Sequence, residues 1–189
     1  KDSRGVYAFS WHSSPEYCEN GDGSFFGDQT NFELTMLRYL YSTLVRLSRD
    51  LGQDETPYLE ALQSLPEDYR DERGLLMISE THKFDMSHRH FSHMLMYKNL
   101  DMVDCFAERA VIQKDVKNLL DFGTEAWVGF SFTEASGLCS YARDGENALR
   151  YLEIFADAFT KENGFHMNED YKHLGYSSVE CYVMTLEAN

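Results

Sequence analysis

"DQTNFELTMLRYLYSTLVRLSRDLG", residues 28–52, places Leu37, Leu40, Leu44, Leu47 and Leu51 at alternating three- and four-residue steps. That spacing returns to one face of a 3.6-residue helix, so it predicts an amphipathic helix that buries the leucines. Asp28 stands where a side chain can cap the start, and Gly52 where a left-handed residue can end it. The same period recurs along the chain. A short helix is expected over 58–65, ended by Pro66, and another from Ser87 to about Tyr97. A further stripe begins at Met102, Phe106 and Ala110 and runs to Leu120, with Gly123 just beyond. Residues 127–142 keep the period through Ala135, Leu138, Cys139 and Ala142, although Phe130, Phe132 and Gly137 weaken the helical preference. Leu149, Leu152, Phe155, Ala156 and Phe159 predict a last helix, stopped by "ENG" at 162–164. About six helices joined by loops predict an all-α protein.

The 189 residues suffice for one compact domain, and the 43% hydrophobic content is ordinary for a globular chain. Seventeen basic against 32 acidic residues give a net charge of −15, which repels a phosphate backbone or an anionic bilayer. Nucleic acid is therefore not the expected partner. No apolar run approaches the ~18 residues that span a bilayer, and the N-terminus has no targeting pattern. The chain begins at Lys1 without a Met and stops at Asn189 after an apolar, strand-like run, so a fragment of a longer protein is expected. Cys18, Cys105, Cys139 and Cys181 are isolated, with no CxxC pair. They read as buried free thiols rather than zinc ligands or a disulfide framework.

Two long segments, 7–27 and 165–187, mix aromatics with carboxylates between the helices, where binding groups commonly sit. Between them "DMSHRHFSHMLMY", residues 85–97, concentrates His88, Arg89, His90 and His93. Three readings are open. His90 and His93 share a helix face with His88 near its start, but a zinc-protease site needs histidines at i and i+4 around a glutamate, so no transition metal is expected. Ser87 as a cap with His90 packed in the first turn needs no function. In the third reading, Arg89 and the imidazoles donate hydrogen bonds to a neutral, oxygen-rich ligand or orient a catalytic carboxylate.

"HRHFSHMLMY" resembles the HRHLSHL-type segment of glycoside hydrolase family 95, the inverting α-L-fucosidases. "SSPEYCENGDG" at 13–23 resembles that family's SPEN-type loop, and the helix from Asp28 is similar to the one that follows it. "WVGFSFTEASGLCSYARDGENALRYLEIFADAF" at 127–159 is similar to the family's next helical pair, including the "RDG" turn. The closing "TLEAN" at 185–189 falls where the family carries a Q-I-D-G-N-like run. The four segments occur in the family's order over almost the whole chain.

The resemblance implies an incomplete (α/α)6 toroid: residues 1–189 would be the later part of one catalytic domain, with long functional loops. Such a fragment is expected to associate or to show an open apolar face. The implied reaction is inverting hydrolysis of terminal α-L-fucosyl or α-L-galactosyl residues from an oligosaccharide or polysaccharide, with no cofactor and no metal. A periplasmic or secreted location goes with the family. Glu16 matches the general acid of the SPE motif. Glu187 falls where the family has the water-activating Asp, a departure of one methylene that keeps the charge and changes the reach. The family's upstream asparagines would lie before Lys1.

Inversion needs one protonated carboxyl for the leaving oxygen and one carboxylate that activates water on the opposite ring face. Glu16 stands among Trp11, His12, Tyr17, Phe25 and Phe26, surroundings that favour a protonated acid. Against this, a glutamate after proline is often a surface residue, and Glu187 is near a chain end. Trp11 and Trp127 are candidates for stacking on sugar faces, although core tryptophans are as common. Asn168, Glu169 and Asp170, and Asn189 at the chain end, are candidates for hydroxyl contacts, with a solvated turn as the plainer account of the first three. Two rival classes remain: a catalytically inactive carbohydrate-binding fragment, and a helical scaffold without a ligand.

Overall fold

A computed structural model of the chain describes residues 12–17 and 21–167. Among them are five α-helices and no β-strand, only isolated antiparallel bridges. The protein is helical. The described residues fall into two compact units: 12–17, 21–84 and 92–102 form the first, and 85–91 with 103–167 the second.

In the first unit, α1 (Asn31–Asp50) and α2 (Thr56–Gln63) pack together, and α1 also packs on a 3-10 turn at Ser92–Met94. The start of α1 differs from expectation. Thr30 is the cap, because a T-x-x-E sequence lets its hydroxyl accept from Glu33 N while the Glu33 carboxylate accepts from Thr30 N. Asp28 instead accepts from Thr81 N at 2.7 Å and so anchors a distant loop. The end is as expected: Gly52 lies at φ 64, and its N–H and that of Gln53 close on the carbonyls of Arg49 and Ser48.

The leucine face is not the buried one. Leu40, Leu47 and Leu51 are 49%, 44% and 72% exposed, and Leu37 and Leu44 are half-buried. The buried positions are Asn31, Leu34, Thr35, Val45 and Ser48. They keep the helical period but include three polar side chains. Asn31 explains part of this choice: its amide donates to the carbonyls of Tyr69 and Met77, both at 2.8 Å, and accepts from Tyr69 N at 2.9 Å. The three hydrogen bonds offset the cost of taking this amide out of water. Around it Ile78, Phe84, Met94, Met96 and Tyr97 complete the core of the unit. The helix α2 begins and ends two residues earlier than the expected 58–65, with the Asp54 carboxylate accepting from Thr56 N at 3.0 Å at its entry.

No α-helix runs through 87–97; the sole helical element there is the short 3-10 turn. The reason is visible in the second unit, where Ser87 Oγ donates to Gly123 O at 3.0 Å and accepts from Ala126 N at 3.2 Å. Ser131 Oγ donates to the Arg89 carbonyl at 2.8 Å. Ser87 thus ties two loops rather than capping a helix, and the Arg89 carbonyl is spent on a side chain.

The second unit contains α3 (Arg109–Asp121), α4 (Gly129–Tyr141) and α5 (Gly145–Phe159). Helix α3 starts later than the Met102–Ala110 stripe predicts, because the Asp104 carboxylate captures the N–H groups of Phe106 and Ala107 at 2.8 and 3.1 Å. Phe106 is left 75% exposed. Helices α4 and α5 form an αα-hairpin across a short turn. Arg143 occupies the left-handed end position of α4 (φ 64), while Asp144 caps α5 by accepting from Asn147 N at 3.1 Å. Helix α5 therefore begins at Gly145, before Leu149, which is exposed.

Much of the aromatic content is core. Trp127 sits with ring centroids 5.1 Å from Phe91, 5.3 Å from Phe132 and 5.3 Å from Tyr151, and Phe159 extends the cluster from Phe132 at 5.2 Å. Tilted rings at these spacings pack efficiently and add attraction beyond the area they bury.

Candidate functional site

The loop that carries Glu16 is built by a tight turn. Tyr17 N donates to Ser14 O at 3.1 Å, Pro15 presets the second position, and Glu16 takes the third at φ 53. That third position favours glycine, since a left-handed backbone costs an L-residue roughly 1–2 kcal/mol. A half-buried glutamate held there is strained, and such strain persists only where the surroundings enforce it.

The enforcement is on both sides of the turn. Ser14, buried, places its hydroxyl 2.6 Å from that of Ser92 in the "HFSHM" segment. His12, also buried, pairs through Nδ1 with the Glu33 carboxylate at the start of α1 and forms a two-way backbone bridge with Phe26. Phe26 in turn packs its ring 6.0 Å from Tyr17 and 4.7 Å from His82. Of the aromatics that flank Glu16 in the sequence, Tyr17 and Phe26 are buried and Phe25 is 54% exposed. His93 is buried and stacked on Phe84, with centroids 4.4 Å apart.

His88, Arg89 and His90 belong to the second unit, whereas His93 belongs to the first. His88 Nδ1 lies 3.1 Å from His90 N. The same nitrogen lies 3.1 Å from the His90 carbonyl oxygen, so Nδ1 faces both the donor and the acceptor of the His90 backbone. His90 packs at 5.8 Å from His88 and 4.9 Å from Phe130. Arg89 is half-buried. Trp127 is 7% exposed, its ring among protein aromatics, and its indole N–H has no hydrogen-bond partner among the described residues. Trp11, Asn168, Glu169, Asp170, Glu187 and Asn189 lie outside the described residues. The His12–Glu33 pair carries no signal in the sequence, because the two residues stand 21 apart and only the fold brings them together.

No three His, Cys, Asp or Glu side chains converge as metal ligands among the described residues. No described helix is long and apolar enough to cross a membrane. Cys139 is a buried thiol pushed up to about 12 by desolvation, with the Asp144 charge adding to the effect. Cys105 is half-buried rather than buried, and its sulfur lies 3.7 Å from an Arg143 nitrogen. Cys18 and Cys181 lie outside the described residues.

Comparison with protein-family models gives no match to this chain, and comparison with curated proteins gives none either.

Proposed function

We propose that the protein is a glycoside hydrolase similar to family 95, the later part of an (α/α)6 domain, acting by inversion on terminal α-L-fucosyl or related α-L-galactosyl residues. Glu16 is the general acid in this reading, and Glu187 the partner that activates water. The observation that carries it is the Ser14–Ser92 contact, which ties the SPE loop to the HRHFSHM segment across 78 residues of sequence. Those are the two motifs on which the resemblance chiefly rests. The left-handed Glu16 supports it further, since strain at a carboxylate in a pinned loop is typical of working side chains. His12 and Glu33 hold the loop from its other side.

The test is release of free sugar from aryl α-L-fucoside, α-L-galactoside and α-D-galactoside, with the anomer followed by NMR. The expected result is inverted product from one α-L-glycoside and a loss of about 10²–10⁴-fold in Glu16→Gln. Retention of configuration, or full activity in Glu16→Gln, overturns the assignment. The Glu at position 187, where the family has Asp, favours a second reading, a carbohydrate-binding chain without turnover. In that case the sugars shift histidine NMR signals while none is hydrolysed.

A further inference from the structure

The second unit contains a cleft of about 590 Å³ between one face of α3 and the turn that joins α4 to α5. Its size falls within the ~300–1,000 Å³ usual for small-ligand sites. Val116, Ala142 and Tyr151 are buried side chains along it, giving an apolar floor. Three cations, Lys117, Arg143 and Arg150, line it together with two carboxylates, Asp121 and Asp144.

The two carboxylates are already engaged. Asp121 takes Lys117 Nζ at 2.6 and 2.7 Å, and Asp144 takes the backbone and side-chain nitrogens of Asn147 at 3.1 and 2.7 Å. The arginines are held differently. The Arg143 guanidinium lies 4.1 Å over the Phe106 ring, a stacking contact that fixes its plane, and one of its nitrogens donates to Cys105 Sγ at 3.7 Å. Arg150 lies 5.7 Å over Tyr151 and makes no hydrogen bond or ion pair among the described residues. In so acidic a chain, an arginine at the rim of a cleft with no carboxylate partner among the described residues stands out. The first turn of α5 opens on the same cleft, and its dipole adds positive potential there.

We infer that this cleft binds a small polyhydroxylated anion, the size of a monosaccharide bearing one carboxylate or phosphate, whose charge is received by Arg143 and Arg150. Planar guanidinium groups match either oxyanion with paired hydrogen bonds. Asn147 and Gln113 on the same rim, whose amide nitrogens donate to Asp144 at 2.7 Å and to the Ala142 carbonyl at 3.0 Å, offer their side-chain oxygens to hydroxyls, and the Tyr151 floor faces the ring C–H groups. Burial raises the Tyr151 phenol above its usual range, so it remains a neutral hydroxyl at physiological pH. The inference does not rest on the hydrolase reading, because it is scored by binding without turnover.

The experiment is calorimetric titration of the protein with D-glucuronate, D-glucose 6-phosphate and D-glucose. At least one of the two anions should bind at least tenfold more tightly than glucose, and raised salt should weaken it. Comparison of the two anions tells whether carboxylate or phosphate is preferred. Arg150→Gln and Arg143→Gln should each weaken that binding at least tenfold with the thermal midpoint within a few degrees of the parent. Equal binding of glucose, no binding of either anion, or undiminished binding in Arg150→Gln would overturn the inference.

Discussion

The hydroxyls of Ser14 and Ser92 lie 2.6 Å apart, so one hydrogen bond spans 78 residues of sequence. Either oxygen can donate, and Ser14 is buried. Removal of one partner leaves the other to be satisfied elsewhere, which costs about 1 kcal/mol, whereas removal of both forfeits only the net bond. Ser14→Ala and Ser92→Ala should therefore each destabilise by about 1 kcal/mol, and the double variant by clearly less than the sum. Urea unfolding of the four proteins checks this. Strict additivity would mean that the two hydroxyls do not interact in solution.

Helix α1 yields a sharper contrast. Leu34 is fully buried and Leu51 is 72% exposed, although Leu51 belongs to the leucine stripe. Leu34→Ala should cost about 2–5 kcal/mol, and Leu51→Ala should stay within about 0.5 kcal/mol of the parent. Denaturant midpoints of the two variants decide the matter. Comparable losses would show that the leucine face is covered in solution.

That contrast also marks how far the sequence could be read. The period of α1 was legible, as were the glycine at its end and the existence of α4 and α5, because those features are local. The choice of buried face was not local. It depends on Asn31 meeting the backbone of Tyr69 and Met77, 38 and 46 residues away. The histidine segment failed as a helix for the same kind of reason, since Ser87 and the Arg89 carbonyl are claimed by Gly123, Ala126 and Ser131. In the candidate site, Glu16 was visible through its motif. His12 was seen only as an aromatic neighbour, and its pairing with Glu33 required the fold to bring α1 beside the loop.

Asp71 should govern part of the acid response. Desolvation acts to raise its pKa, but hydrogen bonds from Leu75 N and Arg73 N, both at 2.9 Å, and from the Arg73 side chain hold it below the usual range. The folded protein thus binds this proton less readily than the unfolded chain, whose Asp titrates near ~3.9. The stabilisation is complete above that pH and is lost as pH falls through the lower folded value. Asp71→Ala should destabilise by about 1–2 kcal/mol at pH 7 and make the thermal midpoint less steep below about pH 4. An unchanged acid limb in the variant would refute the assignment.

Cys139 should resist alkylation. Its thiol is buried and pushed up to about 12, so the reactive thiolate is scarce at pH 8. Peptide mapping after iodoacetamide treatment should find Cys139 unmodified in the folded protein and labelled in denaturant, while Cys105, half-buried beside Arg143, is labelled in both. Native labelling of Cys139 at the rate of Cys105 would contradict its burial.

Arg143 sets stability against binding in one residue. Arg143 N donates to Ser140 O at 3.0 Å and Asp144 N to Cys139 O at 2.8 Å, the paired bonds of a left-handed helix end, where glycine is the usual occupant. At φ 64 an arginine bears a backbone strain of roughly 1 kcal/mol that glycine does not. Arg143→Gly should relieve that strain, against the greater freedom of glycine in the unfolded chain and the lost stacking on Phe106. These opposing terms are each about 0.5–1 kcal/mol, so the variant should remain within about 1 kcal/mol of the parent in unfolding free energy. Binding has no such compensation. The same variant should lose glucuronate or glucose 6-phosphate binding to the same extent as Arg143→Gln, because both remove the guanidinium. Calorimetry beside thermal unfolding of the two variants separates the effects, and retained anion binding in Arg143→Gly would exclude this side chain from the cleft's function.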